Sequence, residues 1–287
     1  MSGEPTQIAV TEARGSSTRL WRSSRSLLRR WPITTFYVLT LIVSWPFGLL
    51  PPGPSIAAVA AAAIIDGRSG VVQLLRMVLV WRVGLHWYLI AVFGPLALFA
   101  LAAWLNVLIG ATADGSLTID WSEFGSLLVL QLVGVFTGAW EELGWRGYAL
   151  PQMLQRLSPL VASLGLGVLW AVWHLPLFVS GDLPWADAAF IVVASVLFTA
   201  VFVRTSRSVL IAFLMHASIN AAGGVTVLLF QGGDRTQMYW AVTAVALAMA
   251  VVVVGLQAKW WLEPATRPTG QSRPTSERRP DVEKEGK

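Results

Sequence analysis

Residues 86–110 read HWYLIAVFGPLALFALAAWLNVLIG, a run without a single Asp, Glu, Lys or Arg. About 20 apolar residues in a helix cross the roughly 30 Å of hydrocarbon in a bilayer, so this run predicts a membrane span. Seven more apolar runs lie at 33–50, 55–65, 124–143, 160–179, 185–203, 208–230 and 237–257. The 287-residue chain is 55% hydrophobic and only 13% charged, with a mean hydropathy of +0.62. Soluble domains carry about 25% charged residues. The expected fold class is therefore all-α, a polytopic membrane helix bundle with about eight transmembrane helices, of which 55–65 is a short or tilted crossing.

Charges outside these runs divide the chain and orient it. Residues 1–32 form a basic arm with Arg14, Arg19, Arg22, Arg25, Arg29 and Arg30. No apolar stretch with a small-residue cleavage site follows, so the arm reads as cytosolic rather than as a signal peptide. Residues 33–258 form the membrane-embedded domain, and 259–287, rich in Pro, Arg, Glu and Ser, read as a disordered cytosolic tail. Cytoplasmic loops carry the excess of Lys and Arg. Arg68, Arg76 and Arg82, then Arg146 and Arg156, then Arg204 and Arg207 follow alternate spans, whereas the intervening loops hold Asp114, Asp120, Glu123, Asp182, Asp187 and Asp234 with one Arg235. This alternation fits eight crossings with both termini cytosolic, as in a bacterial plasma membrane. Val71 to Arg82 reads as an amphipathic interfacial helix.

Composition also removes whole classes of chemistry. With no Cys there is no disulfide, thiolate zinc site or cysteine nucleophile. A metal would have to use carboxylates and the three histidines, His86, His174 and His216. The basic residues sit between apolar spans instead of on one soluble face, which argues against nucleic acid as a partner.

Two adjacent acids, Glu141 and Glu142, end the fourth apolar run, where ionisable side chains usually mark a protein interior or a watered cavity. The plain alternative is a hydrated helix end. On a helix Glu142 and Arg146 share a face and can pair, while Glu141 points about 100° away and is left for chemistry. Trp170 stands one turn before His174, and His216 one turn before Asn220. Taken singly, these can be packing residues or interhelical hydrogen-bond pairs. Together they supply a base, two imidazoles and an amide, sufficient parts for hydrolysing an amide bond. Gly134 and Gly138 read as a close-packing helix face, and His86, among Trp81, Arg82, Trp87 and Tyr88, as an interfacial anchor.

In order, Glu141-Glu142-x-x-x-Arg146, Trp170-x-x-x-His174 and His216-x-x-x-Asn220 resemble the three motifs of the CPBP family, which holds the type II CAAX prenyl endopeptidases and the bacteriocin-processing and immunity proteins. The motif core covers 141–220. The resemblance implies an intramembrane endopeptidase in which Glu141 and His174 activate water, His216 and Asn220 stabilise the oxyanion, and Glu142, Arg146 and Trp170 support the site. It implies as partners the lipid bilayer and a membrane-associated peptide substrate, lipidated or not. Two cofactor readings stay open: zinc held by Glu141, His174 and His216, or water activation with no metal. A noncatalytic immunity or scaffold protein of the same family is the alternative function. Trp170 departs from the Phe usual at that position.

Overall fold

A computed structural model describes residues 28–47, 51–134 and 138–264. Most of the arm and the tail, 1–27 and 265–287, lies outside the described residues. The helices are α1 (Pro32–Ser44), α2 (Gly53–Asp66), α3 (Arg68–Arg76), α4 (Leu85–Leu108), α5 (Trp121–Val133), α6 (Leu150–Leu154), α7 (Pro159–Trp173), α8 (Leu175–Ser180), α9 (Trp185–Arg204), α10 (Val209–Thr226), α11 (Gly232–Leu256) and α12 (Ala258–Leu262). Between α5 and α6 the chain forms a 3₁₀ turn, Gly138–Glu141, and a π-helix, Leu143–Ala149.

The protein is a polytopic helical membrane bundle, as its composition requires. Four segments, Leu85–Leu108, Trp185–Arg204, Val209–Leu229 and Gly232–Leu256, are long and apolar enough to cross a bilayer. The other four expected crossings correspond to α1, α2, α5 and α7, which have only 13 to 15 residues. At 1.5 Å per residue such helices cover about 20 Å, short of the hydrocarbon thickness.

Three expected runs are broken, each for a local reason. The run at 33–50 leaves α-helix at Ser44, because Pro46 follows two residues on. The run at 160–179 breaks at His174, with Pro176 in the next turn, so α7 and α8 are separate. The run at 124–143 stops at Val133, which detaches the Glu pair from α5. Gly134 caps α5 and Gly138 opens the 3₁₀ turn, so they do not share the helix face expected of them. The amphipathic segment is α3, eight residues of which follow Arg68; it ends at Arg76 and continues as turns to Val83.

Helix α10 is the centre of the bundle. It packs against α4 and α5 on one side and α9 on the other, while α9 also contacts α7 and α11. Helices α1 and α2 pair and brace the π-helix. The start of α10 is recessed: Ser208 is buried, caps the helix through Ile211 N–H and donates its hydroxyl to Val80 O, while Val209 N–H bonds Met77 O. Apolar side chains left outside, such as Leu85, Trp104, Leu108, Val168 and Val251, form the lipid-facing surface.

Candidate active site

The π-helix builds the site's first wall. Such segments occur mostly as single turns and often at functional sites. Leu150 N–H reaches back five residues to Trp145 O. Gly144 is required for its seat against α2, because a Cβ there would lie 2.5 Å from the carbonyl of Pro54. Ser55 Oγ donates to Trp140 O at 2.5 Å and fixes the same approach.

The two glutamates then diverge as the spacing predicts. Arg146 Nη1 donates to Glu142 Oε1 at 2.9 Å, and both side chains are fully buried. His216 Nδ1 meets the same oxygen at 2.7 Å from α10. Glu141 turns elsewhere: its Oε2 accepts from Trp145 Nε1 at 3.1 Å and from Trp170 Nε1 at 2.7 Å. One acid is thus committed to a cation and an imidazole, the other to two indoles.

Trp170 is more than the aromatic wall the sequence suggests. Its N–H holds Glu141, its face carries the Arg146 guanidinium 4.4 Å from the ring centroid, and its ring meets that of His216 at 5.4 Å. Phe198 of α9 takes the other contact with Arg146, 4.0 Å from its centroid. These rings compensate for Nε and Nη2 of Arg146, which are buried without hydrogen-bond partners among the described residues.

His174 closes α7. Its Nδ1 lies 3.0 Å from Trp170 O. A carbonyl only accepts, so Nδ1 carries the proton and the lone pair stands on Nε2. His216 sits level with Trp170, and His174 one turn further along. The Trp170 ring neighbours both histidines, with ring centroids 6.0 Å from His174 and 5.4 Å from His216. Asn220, one turn beyond His216, donates from Nδ2 to Gln131 Oε1 of α5 at 3.0 Å.

Trp170, His174, His216 and Asn220 line one cavity of about 320 Å³. Its other lining residues include Phe99, Leu183, Asp187, Phe190, Ile191 and Leu228. Sequence reasoning missed several of these parts. Trp145 was legible, since it stands four residues after Glu141 as Arg146 does after Glu142. Gln131, Phe198 and Tyr239 carry no local signal, and Asp187, read as an outer-loop acid, belongs to the first turn of α9 and reaches the cavity. His86 is exposed beside Trp87, with ring centroids 5.0 Å apart, away from all of these residues.

Among the described residues, no three His, Asp or Glu side chains gather closely enough to hold a metal ion. Glu141 Oε2 and Glu142 Oε1 are also engaged by indole, guanidinium and imidazole groups. The zinc triad of Glu141, His174 and His216 does not fit this arrangement, and no step is routed through a metal.

The geometry defines a class: a helical membrane protein with buried carboxylates set behind imidazole and amide side chains that line a cavity. Residues 121–222 match the family described as type II CAAX prenyl endopeptidase Rce1-like. The CAAX prenyl protease 2 of Methanococcus maripaludis is 31% identical over 111 residues, covering 34% of this chain and 40% of that relative. The segment carrying the site is thus similar to type II CAAX prenyl endopeptidases. The match spans less than half the length of the curated relative.

Proposed function

We propose that the protein is an intramembrane endopeptidase that hydrolyses a peptide bond with water activated by Glu141 and His174. The observation that carries this reading is the cavity joining His174, His216 and Asn220, with Glu141 held behind Trp170. Glu141 Oε2 is held by two N–H donors, which leaves Oε1 without a hydrogen bond among the described residues. Glu141 and the free Nε2 of His174 draw a proton from water, whose oxygen adds to the peptide carbonyl carbon.

The carbonyl oxygen then takes the negative charge. His216, whose Nδ1 meets Glu142, turns Nε2 to that oxygen, and Asn220 offers its second amide hydrogen, the first being held by Gln131. Collapse restores the carbonyl, breaks the C–N bond and passes the proton to the departing amine. Glu142, Arg146 and Trp170 act through these groups by fixing their positions. The substrate class is a membrane-associated peptide, and the setting is a plasma membrane with both termini in the cytosol.

The test is cleavage of a fluorogenic peptide library, with prenylated members, by purified wild type and Glu141→Ala. Loss of about 10²-fold or more in the variant is expected, the scale of general acid–base catalysis. Activity that survives a chelator is expected as well, since no step uses a metal. His86→Ala should cleave as wild type does. Equal behaviour of folded wild type and Glu141→Ala would sink the peptidase reading in favour of a noncatalytic immunity or scaffold protein.

A further inference from the structure

A second cavity, of about 380 Å³, adjoins the candidate site and contains none of its polar side chains. Helices α4 and α11 are tied at one end by Asn106 Nδ2 on Asp234 O. Towards their other end they wall a slot, α4 giving Trp87, Ile90 and Gly94 and α11 giving Met249, Val253 and Leu256. Buried Leu197 and Val201 of α9 and Met215 of α10 form its floor. Ile90, Met249 and Leu256 are exposed, so the edges of the slot face the bilayer. A Cβ on Gly94 would meet only Ile90 Cγ2, at 3.8 Å, so a larger side chain there would enter the slot without striking a neighbour.

One end of the slot is polar. Arg204 closes α9 and Gln257 follows α11, and the guanidinium donates to Gln257 Oε1 and to Ala200 O. Leu256 and Gln257 also line a second hollow, of about 850 Å³, together with Arg207, Lys259, Trp260 and Glu263. Three cations, Arg204, Arg207 and Lys259, thus stand with one carboxylate, Glu263, and none of the four forms an ion pair among the described residues. The backbone that presents Arg207 is left-handed at both Ser206, with φ 54°, and Arg207, with φ 62°, where Arg207 N–H bonds Phe202 O behind the end of α9. Glycine takes such positions without strain. A long cationic side chain kept at one of them points to a use for its charge.

An apolar slot continuous with a cationic hollow matches the shape of an anionic lipid. Phe190 and Arg204, which both line the slot, are about 21 Å apart along α9 at helical rise, enough to take a chain through one leaflet of a hydrocarbon core roughly 30 Å thick. We infer that an anionic glycerophospholipid binds here, with one acyl chain in the slot and its phosphate among Arg204, Arg207 and Lys259. Basic pockets between membrane helices hold anionic headgroups in this way. Trp260 supplies the indole that favours the headgroup level. A zwitterionic headgroup would add a further cation to the three already there and is disfavoured. The inner end of the slot shares Phe99, Phe190 and Ile219 with the site cavity, so the acyl chain packs against residues that shape the site. The lipid is a bound support and not a substrate, and the inference does not depend on the endopeptidase reading.

The test uses phosphatidylglycerol with a diazirine near the end of one acyl chain, doped into phosphatidylcholine nanodiscs that hold the full-length protein. Photolysis followed by peptide mapping should place the label on the inner slot, at Leu98, Phe190, Ala194 and Ile219. A phosphatidylcholine carrying the same diazirine should label these residues about tenfold less. Arg207→Gln combined with Lys259→Gln should lower labelling by phosphatidylglycerol by about tenfold, to the level of the neutral lipid. Gly94→Leu, which fills the slot, should remove labelling by both lipids. Thermal midpoints in phosphatidylcholine alone show that each variant is folded, and the double variant, altered only at exposed side chains, carries the test by itself. Equal labelling by the two lipids overturns the inference, as does full labelling of the double variant. Label spread over outward residues such as Leu108, Leu130 and Val168 shows annular lipid only and overturns it too.

Discussion

Arg146 shows how much one side chain carries in a bundle of this kind. It pairs with Glu142, lies over the rings of Trp170 and Phe198, and is fully buried. Arg146→Ala removes the guanidinium that pairs with the buried Glu142 and leaves it to His216 alone, a loss of about 3–5 kcal/mol, seen as a lower thermal midpoint in detergent. A double change to Leu at Glu142 and Arg146 removes both charges and should recover much of that stability. It should not recover cleavage, because His216 then lacks the carboxylate that holds Nδ1. Trp170→Phe, which restores the family's usual residue, keeps a ring for Arg146 but deletes the 2.7 Å N–H bond to Glu141. A rate lower by about tenfold with unchanged folding is expected, whereas Trp170→Ala should damage both. The pairing of Glu142 with Arg146 was legible from their spacing, since residues four apart share a helix face. Glu141's bond to Trp170 spans 29 positions and belongs to the contact between two helices.

Helix ends decide where the chemistry sits. Asp120 caps α5 by accepting from Glu123 N–H at 2.9 Å, and Ser158 caps α7. Those starts are visible in sequence as polar residues ahead of apolar runs. The stops are less visible: hydropathy alone carries the fourth run through to Leu143, yet α5 ends at Val133, Glu141 closes a 3₁₀ turn and Glu142 immediately precedes the π-helix. Hydropathy reports burial, not backbone form, so it misses a change of helix type within one apolar stretch. Contact between helices rests on single small residues. A Cβ on Gly167 of α7 would stand 2.8 Å from Val192 Cα of α9. Gly167→Val should push apart the helices that present Trp170 and Phe198. The expected cost is about 1–3 kcal/mol with reduced cleavage, read by thermal unfolding and peptidase assay on one preparation.

At the scale of the whole molecule, residues far apart in sequence tie the end of α4 and the loop after it to the start of α11. Asp234, at the start of α11, accepts from Thr112 N–H at 2.9 Å and gives its carbonyl to Asn106 Nδ2 at 3.1 Å. Phe230 pairs with Ala113 in a single antiparallel bridge. Asp234→Ala should loosen this tie at a cost of about 1 kcal/mol, measured as a lower thermal midpoint. The active centre itself should survive, since its hydrogen bonds come from α5, α7, α10 and the π-helix.

By itself the sequence determined that this chain lives in a membrane, and it marked two adjacent glutamates, two histidines and an asparagine as the candidates for its chemistry. Each of these follows from composition or from a local period, which the chain carries before it folds. Tertiary structure alone decided that His216 joins Glu142 while Glu141 joins Trp170, that Gln131 holds Asn220, and that Asp187 reaches the cavity. Partners on different helices are chosen by crossing angles, recessed helix starts and the few glycines that admit close approach. No short stretch of sequence contains these quantities.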